Sequence, residues 1–297
     1  RAAGMAALRR KLIGRHLPEV QKEEFARNGY VVVKNVFPEE GFRLLRDQLL
    51  SSSWPAREMI QGDTITRRIA VDREMLAAIP ALAELLSAPW WKRLLRYVST
   101  YNVEPIYYIQ TIQRRPTGAA DPQTALHADT FHSSMKAWFF LDDVRRGEGA
   151  FSYVPGSHRL TPQRLAWEHQ KALTLPEAGD RLTRRGSFRI EPSELAALGL
   201  PQAIELAVPA NTLVVADTVG FHARGPSGPE LNRVEIWAYS RRNPFLPFLG
   251  FDLFSLPIFA PRRAEWVWRI RDRFPKMFKQ PWKEVGLKKP LDGGLSG

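Results

Sequence analysis

A mainly β fold with helical additions is what this sequence predicts, and three patterns predict it. Short runs rich in β-branched and aromatic residues recur from residue 104 onward, at 104–114, 136–141, 151–154, 204–208, 212–216 and 233–240. Turn residues punctuate them, as in Pro155-Gly156, Pro209-Ala210-Asn211 and Gly225-Pro226-Ser227-Gly228-Pro229. Apolar residues at helical spacing gather before residue 100. Several short strands separated by turns close into a sandwich or a barrel.

Each element follows from local chemistry. Residues 18–28 read as a helix, with Pro18 at its start and Asn28-Gly29 at its end. The β-branched run 30–36 reads as a strand. Residues 38–51 form an amphipathic helix, because Phe42, Leu44, Leu45, Leu49 and Leu50 share one face. Residues 52–72 carry Arg67 and Arg68 and read as irregular, and helices follow near 73–87 and 89–97. The long interval 160–202 holds helix-like pieces at 161–171 and 192–198. It is expected to lie over the site as an insertion or lid.

The ends of the chain differ from its middle. Residues 1–17 are a basic, alanine-rich extension without the apolar stretch of a signal peptide. Residues 246–297 form an aromatic and basic extension. Phe245, Leu246, Phe248, Leu249, Phe251, Leu253, Phe254, Leu256, Ile258 and Phe259 precede a stretch that interleaves Arg262, Arg263, Arg269, Arg271, Arg273, Lys276 and Lys279 with Trp266, Trp268 and Phe274. Such a tail packs across the domain or on a second subunit. The alternative is a surface for a lipidic substrate or an anionic membrane.

Composition sets bounds. A β-rich domain with helical additions accounts for 297 residues. The absence of cysteine excludes disulfides, thiolate metal sites and a cysteine nucleophile, and fits a reducing, cytoplasmic location. A net charge of +12 favours anionic partners. No nucleic-acid-binding motif is present, so nucleic acid is not an expected partner. No apolar run is long enough for a transmembrane helix.

The chemistry centres on Leu126-His127-Ala128-Asp129-Thr130. In an extended segment residues two apart share a face, so His127 and Asp129 aim at one point. His222 lies 93 residues beyond Asp129, and Arg233 eleven beyond that. Two histidines and a carboxylate leave coordination positions open, as in non-haem Fe(II) oxygenases, although Zn and Mn accept the same ligand types. Arginine binds carboxylates with a planar fork, which suits a carboxylate-bearing cosubstrate.

The ordered set His127-x-Asp129, His222 and Arg233 resembles the phytanoyl-CoA dioxygenase family of Fe(II)/2-oxoglutarate oxygenases. Residues 29–37 resemble that family's N-terminal strand. Gly147-Glu148-Gly149-Ala150-Phe151 with Val154-Pro155-Gly156-Ser157-His158-Arg159 resembles the segment after its first two ligands. The similarity spans roughly residues 20–245. It implies a double-stranded β-helix, or jelly roll, over residues 18–245, with the N-terminal helices packed on one sheet. It also implies Fe(II) held by His127, Asp129 and His222, and 2-oxoglutarate held through its far carboxylate by Arg233. The implied reaction consumes O2, releases succinate and CO2, and hydroxylates a C–H bond of a small, anionic or acyl-type substrate. The resemblance places an aromatic, Trp138, beside the cosubstrate. Thr111 and Gln113, on the strand before the ligands, are candidates for bonding it. His132 and Arg224 are candidate substrate contacts, Arg224 alternatively forming a loop salt bridge. Two other readings stay open: a non-catalytic jelly-roll binding protein, and a jelly-roll enzyme using another metal. For Arg233 the competing role is a salt bridge with Glu235.

Overall fold

The computed structural model describes residues 2–115, 118–175, 181–228, 231–245 and 252–294. The helices are α1 (Ala2–Ile13), α2 (Glu19–Asn28), α3 (Glu39–Ser51), α4 (Arg73–Ala78), α5 (Pro80–Ser87), α6 (Pro89–Ser99), α7 (Pro162–Leu173), α8 (Pro192–Ala197) and α9 (Arg263–Arg273). The strands are β1 (Tyr30–Lys34), β2 (Trp54–Gln61), β3 (Thr64–Ala70), β4 (Ile106–Arg114), β5 (Met135–Phe140), β6 (Phe151–Tyr153), β7 (Ile204–Glu205), β8 (Thr212–Asp217), β9 (His222–Arg224), β10 (Asn232–Ser240) and β11 (Lys283–Lys288).

Eight strands pair in the order β1-β8-β5-β10-β4-β3-β2-β11, and β7-β6-β9 form a second, smaller sheet. Every pairing is antiparallel. The two sheets face each other across a core that includes Tyr30, Trp138, Phe140, Phe151, Tyr153 and Trp237. On the opposite side of the large sheet, Ile109, Ala137, Phe139, Val234 and Ile236 pack against Leu45, Leu49, Leu82 and Trp91 of the helices. Alternation along each strand is thus the organising rule: one face meets helices, the other meets the small sheet.

The helix–strand transition at residue 29 shows how local chemistry sets this frame. Gly29 ends α2 in the left-handed region (φ 89°) and donates to the Phe25 carbonyl. A side chain there would meet His158 and Tyr153 within 2.6 Å. His158 accordingly serves packing, edge-on to Phe25.

One expectation changes, and both ends of the chain take definite structure. Residues 52–72 are not irregular: β2 and β3 form a hairpin that widens the large sheet, and β3 pairs with β4 from Thr64↔Arg114 to Ala70↔Tyr108. The polar residues in this stretch, Arg57, Glu58, Arg67 and Arg68, mask its alternation, because Arg57, Arg67 and Arg68 take partners from far along the chain, Asp272, Lys289 and Gln110, and Glu58 is buried against Arg67. The basic N-terminal stretch forms α1, which packs on α6: Arg9 lies over Tyr101 and Arg10 pairs with buried Asp217 at 3.1 Å. The C-terminal stretch packs across the domain. β11 joins the sheet beside β2, and Arg67 gathers the carbonyls of Lys289, Pro290, Asp292 and Gly293 while holding Glu58 at 2.6 Å. Leu246, Phe248, Leu249 and Phe251 of the apolar run, and Pro229 of the expected turn, lie outside the described residues. Among the described residues no helix is long and apolar enough to cross a membrane.

Candidate metal centre and its cavity

His127 stands in a short extended segment that bridges β9. The backbones of His127 and His222 exchange two hydrogen bonds of 2.9 Å, and Asp129 N–H donates to Thr218 C=O at 2.9 Å. This pairing brings His222 to His127 and Asp129, which lie 95 and 93 residues before it in sequence. Asp217 sets the approach to His222. Its Oδ1 accepts from Ser134 N–H and Val219 N–H, and its backbone carbonyl accepts from the Tyr153 hydroxyl at 2.8 Å. Gly220 is required beside it, because a Cβ there would sit 1.9 Å from the Tyr153 hydroxyl.

The ligand atoms converge. Asp129 Oδ1 is 3.7 Å from Nε2 of His127 and 3.7 Å from Nε2 of His222. Nδ1 of His127 faces the Ala125 carbonyl at 2.8 Å, and Nδ1 of His222 faces the Gly220 carbonyl at 2.9 Å. A carbonyl accepts only from an N–H, so both protons sit on Nδ1 and both Nε2 lone pairs point inward. These buried Nε2 atoms have no hydrogen-bond partner. Burial, reinforced by His222, pushes His127 well below the usual imidazole range, and burial lowers His222 to about 4. Burial raises the Asp129 carboxyl. The Lys136 ammonium, 2.6 Å from Oδ2, and the two imidazoles outweigh that, holding it below the usual carboxylate range. Neutral imidazoles and an ionised carboxylate are the forms that bind a metal. Among the described residues His127, Asp129 and His222 form the one group able to hold an ion.

The centre opens into a cavity of about 440 Å³. β4 presents Ile106, Tyr108, Gln110 and Ile112 to it, β5 Lys136 and Trp138, and β10 Arg233, Trp237 and Tyr239. Phe151, and Trp268 and Trp282 from the C-terminal segment, complete the aromatic lining. A polar row crosses its floor. Arg68 Nε–H donates to Gln110 Oε1 (2.9 Å), Gln110 Nε2–H donates to Glu235 Oε1 (2.8 Å), and Arg233 Nε–H donates to Glu235 Oε2 (2.7 Å). The register Arg68↔Gln110↔Glu235 places these residues side by side on one face. The Arg68 guanidinium lies over Trp237 at 4.0 Å and Trp282 at 4.5 Å, and burial lowers its pKa to about 10.

The other sequence candidates divide. Trp138 lines the cavity, its ring tilted against that of Phe151 with ring centres 4.2 Å apart. Arg233 also lines it, but it carries the Glu235 pair and donates from Nη1 to the Gly149 carbonyl. Arg224 reaches the cavity and forms a salt bridge with Asp121 at 2.6 Å. Thr111 and Gln113 do not face the site. They occupy the opposite face of β4, where Thr111 donates to Pro290 C=O and Gln113 to Asp292 C=O. The even-numbered positions of β4 face the cavity, one residue out of phase with the expectation, and Gln110 is the cavity-facing amide. His132 is not among the cavity-lining residues. Its Nδ1 meets the Ser133 carbonyl and its ring packs on Phe131. Lys136 and Gln110 were legible by alternation from Trp138 and Tyr108. Trp268 and Trp282 arrive by long-range closure, which no local pattern signals.

Fold and site together define a jelly-roll protein with a metal centre of two histidines and one carboxylate. The profile described as phytanoyl-CoA dioxygenase (PhyH) matches residues 25–194, more than half of the chain. The chain belongs to that family, which is one of Fe(II)- and 2-oxoglutarate-dependent enzymes. His222 and Arg233 lie beyond the matched residues. No curated protein sequence matches the chain. Among solved structures it is similar to the epimerase SnoN in complex with Fe3+, alpha ketoglutarate and nogalamycin RO, with 19% identity, 79% of this chain and 90% of that chain covered, and a TM-score of 0.49. It is similar to HygX from Streptomyces hygroscopicus with nickel and 2-oxoglutarate bound, at 17% identity, coverage of 75% and 86%, and a TM-score of 0.46. It is also similar to the carbocyclase SnoK from nogalamycin biosynthesis, at 19% identity, coverage of 76% and 84%, and a TM-score of 0.45.

Proposed function

We propose that this protein is an Fe(II)- and 2-oxoglutarate-dependent oxygenase that hydroxylates an unactivated C–H bond of a small organic substrate. The observation that carries this reading is the pair of buried, partnerless Nε2 atoms converging with the Asp129 carboxylate. A buried polar atom without a partner is costly unless something binds it. Iron in this site would supply the activation of O2 and the oxidative decarboxylation of 2-oxoglutarate to succinate and CO2. Asp129 occupies the carboxylate position, so no ligand site is vacated for a halide; this favours hydroxylation over halogenation.

The protein's own residues do the rest. His127 and His222 are oriented by backbone carbonyls before any metal arrives, and Lys136 holds the second oxygen of Asp129, leaving Oδ1 for the metal. Tyr108, Trp138, Phe151 and Trp237 surround the reacting space with apolar surface and exclude water. Arg233 is the proposed receptor for the far carboxylate of 2-oxoglutarate. Glu235 fixes its Nε and the Gly149 carbonyl its Nη1, which leaves Nη2, with one 3.5 Å contact to Glu235, as the corner a carboxylate can take. The positive cavity wall supports an anionic or acyl-bearing substrate.

A second reading rests on the same Arg233–Glu235 pair. A guanidinium already neutralised fits a metal-dependent jelly-roll enzyme that uses no oxoacid. Anaerobic addition of Fe(II) and 2-oxoglutarate to the full chain separates the two. A weak visible charge-transfer band is the expected result, with succinate formed on admitting O2. Metal binding without the band supports the second reading. With the band in hand, titrations of Arg233→Ala, Arg224→Ala and Arg68→Met compare the guanidinium candidates; the weakest 2-oxoglutarate binding belongs at Arg233→Ala.

A further inference from the structure

The C-terminal segment has two faces, and the cavity uses one of them. Ala264 and Trp268 of α9 are buried, and Val267, Trp268 and Arg271 line the cavity. The other side is exposed and apolar. Ile270, Phe274 and Phe278 recur every four residues, with Met277 three beyond Phe274, and the chain keeps turning past the helix end: Phe274 N–H donates to Ile270 C=O, and both Met277 N–H and Phe278 N–H donate to Phe274 C=O. These four exposed side chains, within nine residues of one another, make up an apolar ridge. All residues from 272 to 279 are exposed, Met277 at 75%. Beside the ridge, Trp266 packs against Phe254 and Phe259, which belong to a stretch that also exposes Leu256 and Ile258.

This apolar ridge is set in positive charge. Residues 262–279 hold seven arginines and lysines against two acids, a net of +5. Both acids are already engaged, Asp272 by Arg57 and Gln280, and Glu265 by Arg269. Arg273 lies against the Phe274 ring, and Lys276 and Lys279 flank Met277 and Phe278. A nucleic acid has no counterpart for four protruding aliphatic and aromatic side chains in a row, and a protein surface acidic enough to answer the bases offers little apolar area to receive those side chains. A lipid interface matches both: anionic headgroups meet the bases, and the acyl boundary receives Ile, Phe and Met. We infer that residues 253–279 dock the protein on an anionic membrane surface, with the Ile270–Phe278 ridge entering the headgroup layer. The other side of α9 then places the cavity wall next to the lipid. The inference stands on this surface alone and does not depend on the chemistry proposed for the metal centre.

The test uses the full chain and sedimentation with phosphatidylcholine vesicles, with and without phosphatidylserine. The wild type is expected to partition onto the phosphatidylserine vesicles about tenfold or more strongly, and to be released as salt rises, since each base near such a surface contributes about fivefold. Lys276→Gln with Lys279→Gln is expected to lower partitioning by roughly 25-fold at low salt. Phe274→Ser with Met277→Ser and Phe278→Ser is expected to abolish the salt-resistant part. These positions are exposed, and near-ultraviolet dichroism identical to wild type confirms the fold of each variant. Equal affinity for both vesicle types, or unchanged binding by the triple serine variant, overturns the inference. So does a wild type that ignores vesicles but changes from dimer to monomer with the serine substitutions, which would assign the ridge to a second copy of the chain.

Discussion

At the metal centre, His127, Asp129 and His222 sit on backbone segments hydrogen-bonded to one another, and each ligand has a partner on its far side. The aromatic wall of the same cavity is assembled differently. Arg68 comes from a hairpin near the start of the chain, Trp237 from β10, and Trp268 and Trp282 from the C-terminal segment. The first region is local pairing that pre-orients donors; the second is long-range closure held by a strap, the C-terminal residues 282–293 bound by β2 and Arg67. Metal affinity and cavity shape are therefore separately built and should fail separately.

The largest expected break is at the ligands. His127→Ala or Asp129→Ala removes one of three metal contacts, and both iron binding and succinate formation are expected to vanish while the folded state persists. Retained succinate formation in either variant refutes the ligand set. Breaking the strap is next. Arg67→Met takes the guanidinium from four carbonyls and breaks its buried 2.6 Å pair with Glu58. The cost is about 3–5 kcal/mol in denaturant unfolding, with iron binding by the folded fraction intact. Equal loss of both properties would erase the distinction between the regions. Lys136→Met sharpens it. With Oδ2 of Asp129 no longer held, iron affinity is expected to fall about 10- to 100-fold, with unfolding midpoints near wild type, measured by competition with a chelator. The smallest effect belongs to Thr111→Val, which removes one hydrogen bond to the Pro290 carbonyl. About 1 kcal/mol of stability should go. A change in 2-oxoglutarate affinity would show that the outward face of β4 does reach the site.

Much of this was legible. His127, Asp129 and His222 could be found because their spacing is short or their order distinctive, and the jelly roll followed from strand alternation together with the family resemblance. The errors have specific causes. On β4 every residue from Tyr107 to Gln113 is buried, since helices and strap cover one face and the cavity the other, so hydrophobicity gave no phase and Thr111 and Gln113 were placed inward. In β2 and β3 the charged residues that obscured the strands are those whose partners lie far along the chain, Arg57 with Asp272 and Arg67 with residues 289–293. Glu235 could be read as a partner of Arg233 because the two share a face of β10 at a separation of two.

The strap also orders events in time. Arg67 and the carbonyls it gathers are separated by 222 to 226 residues, so their meeting closes one of the longest loops in the chain. Contacts this distant form late, after the strands between them have paired. The metal ligands, at most 95 residues apart, can therefore come together in a basin still open on the side of Trp282. During refolding, Trp282 fluorescence should report a step slower than recovery of sheet dichroism, and iron added before that step should enter faster than iron added after it.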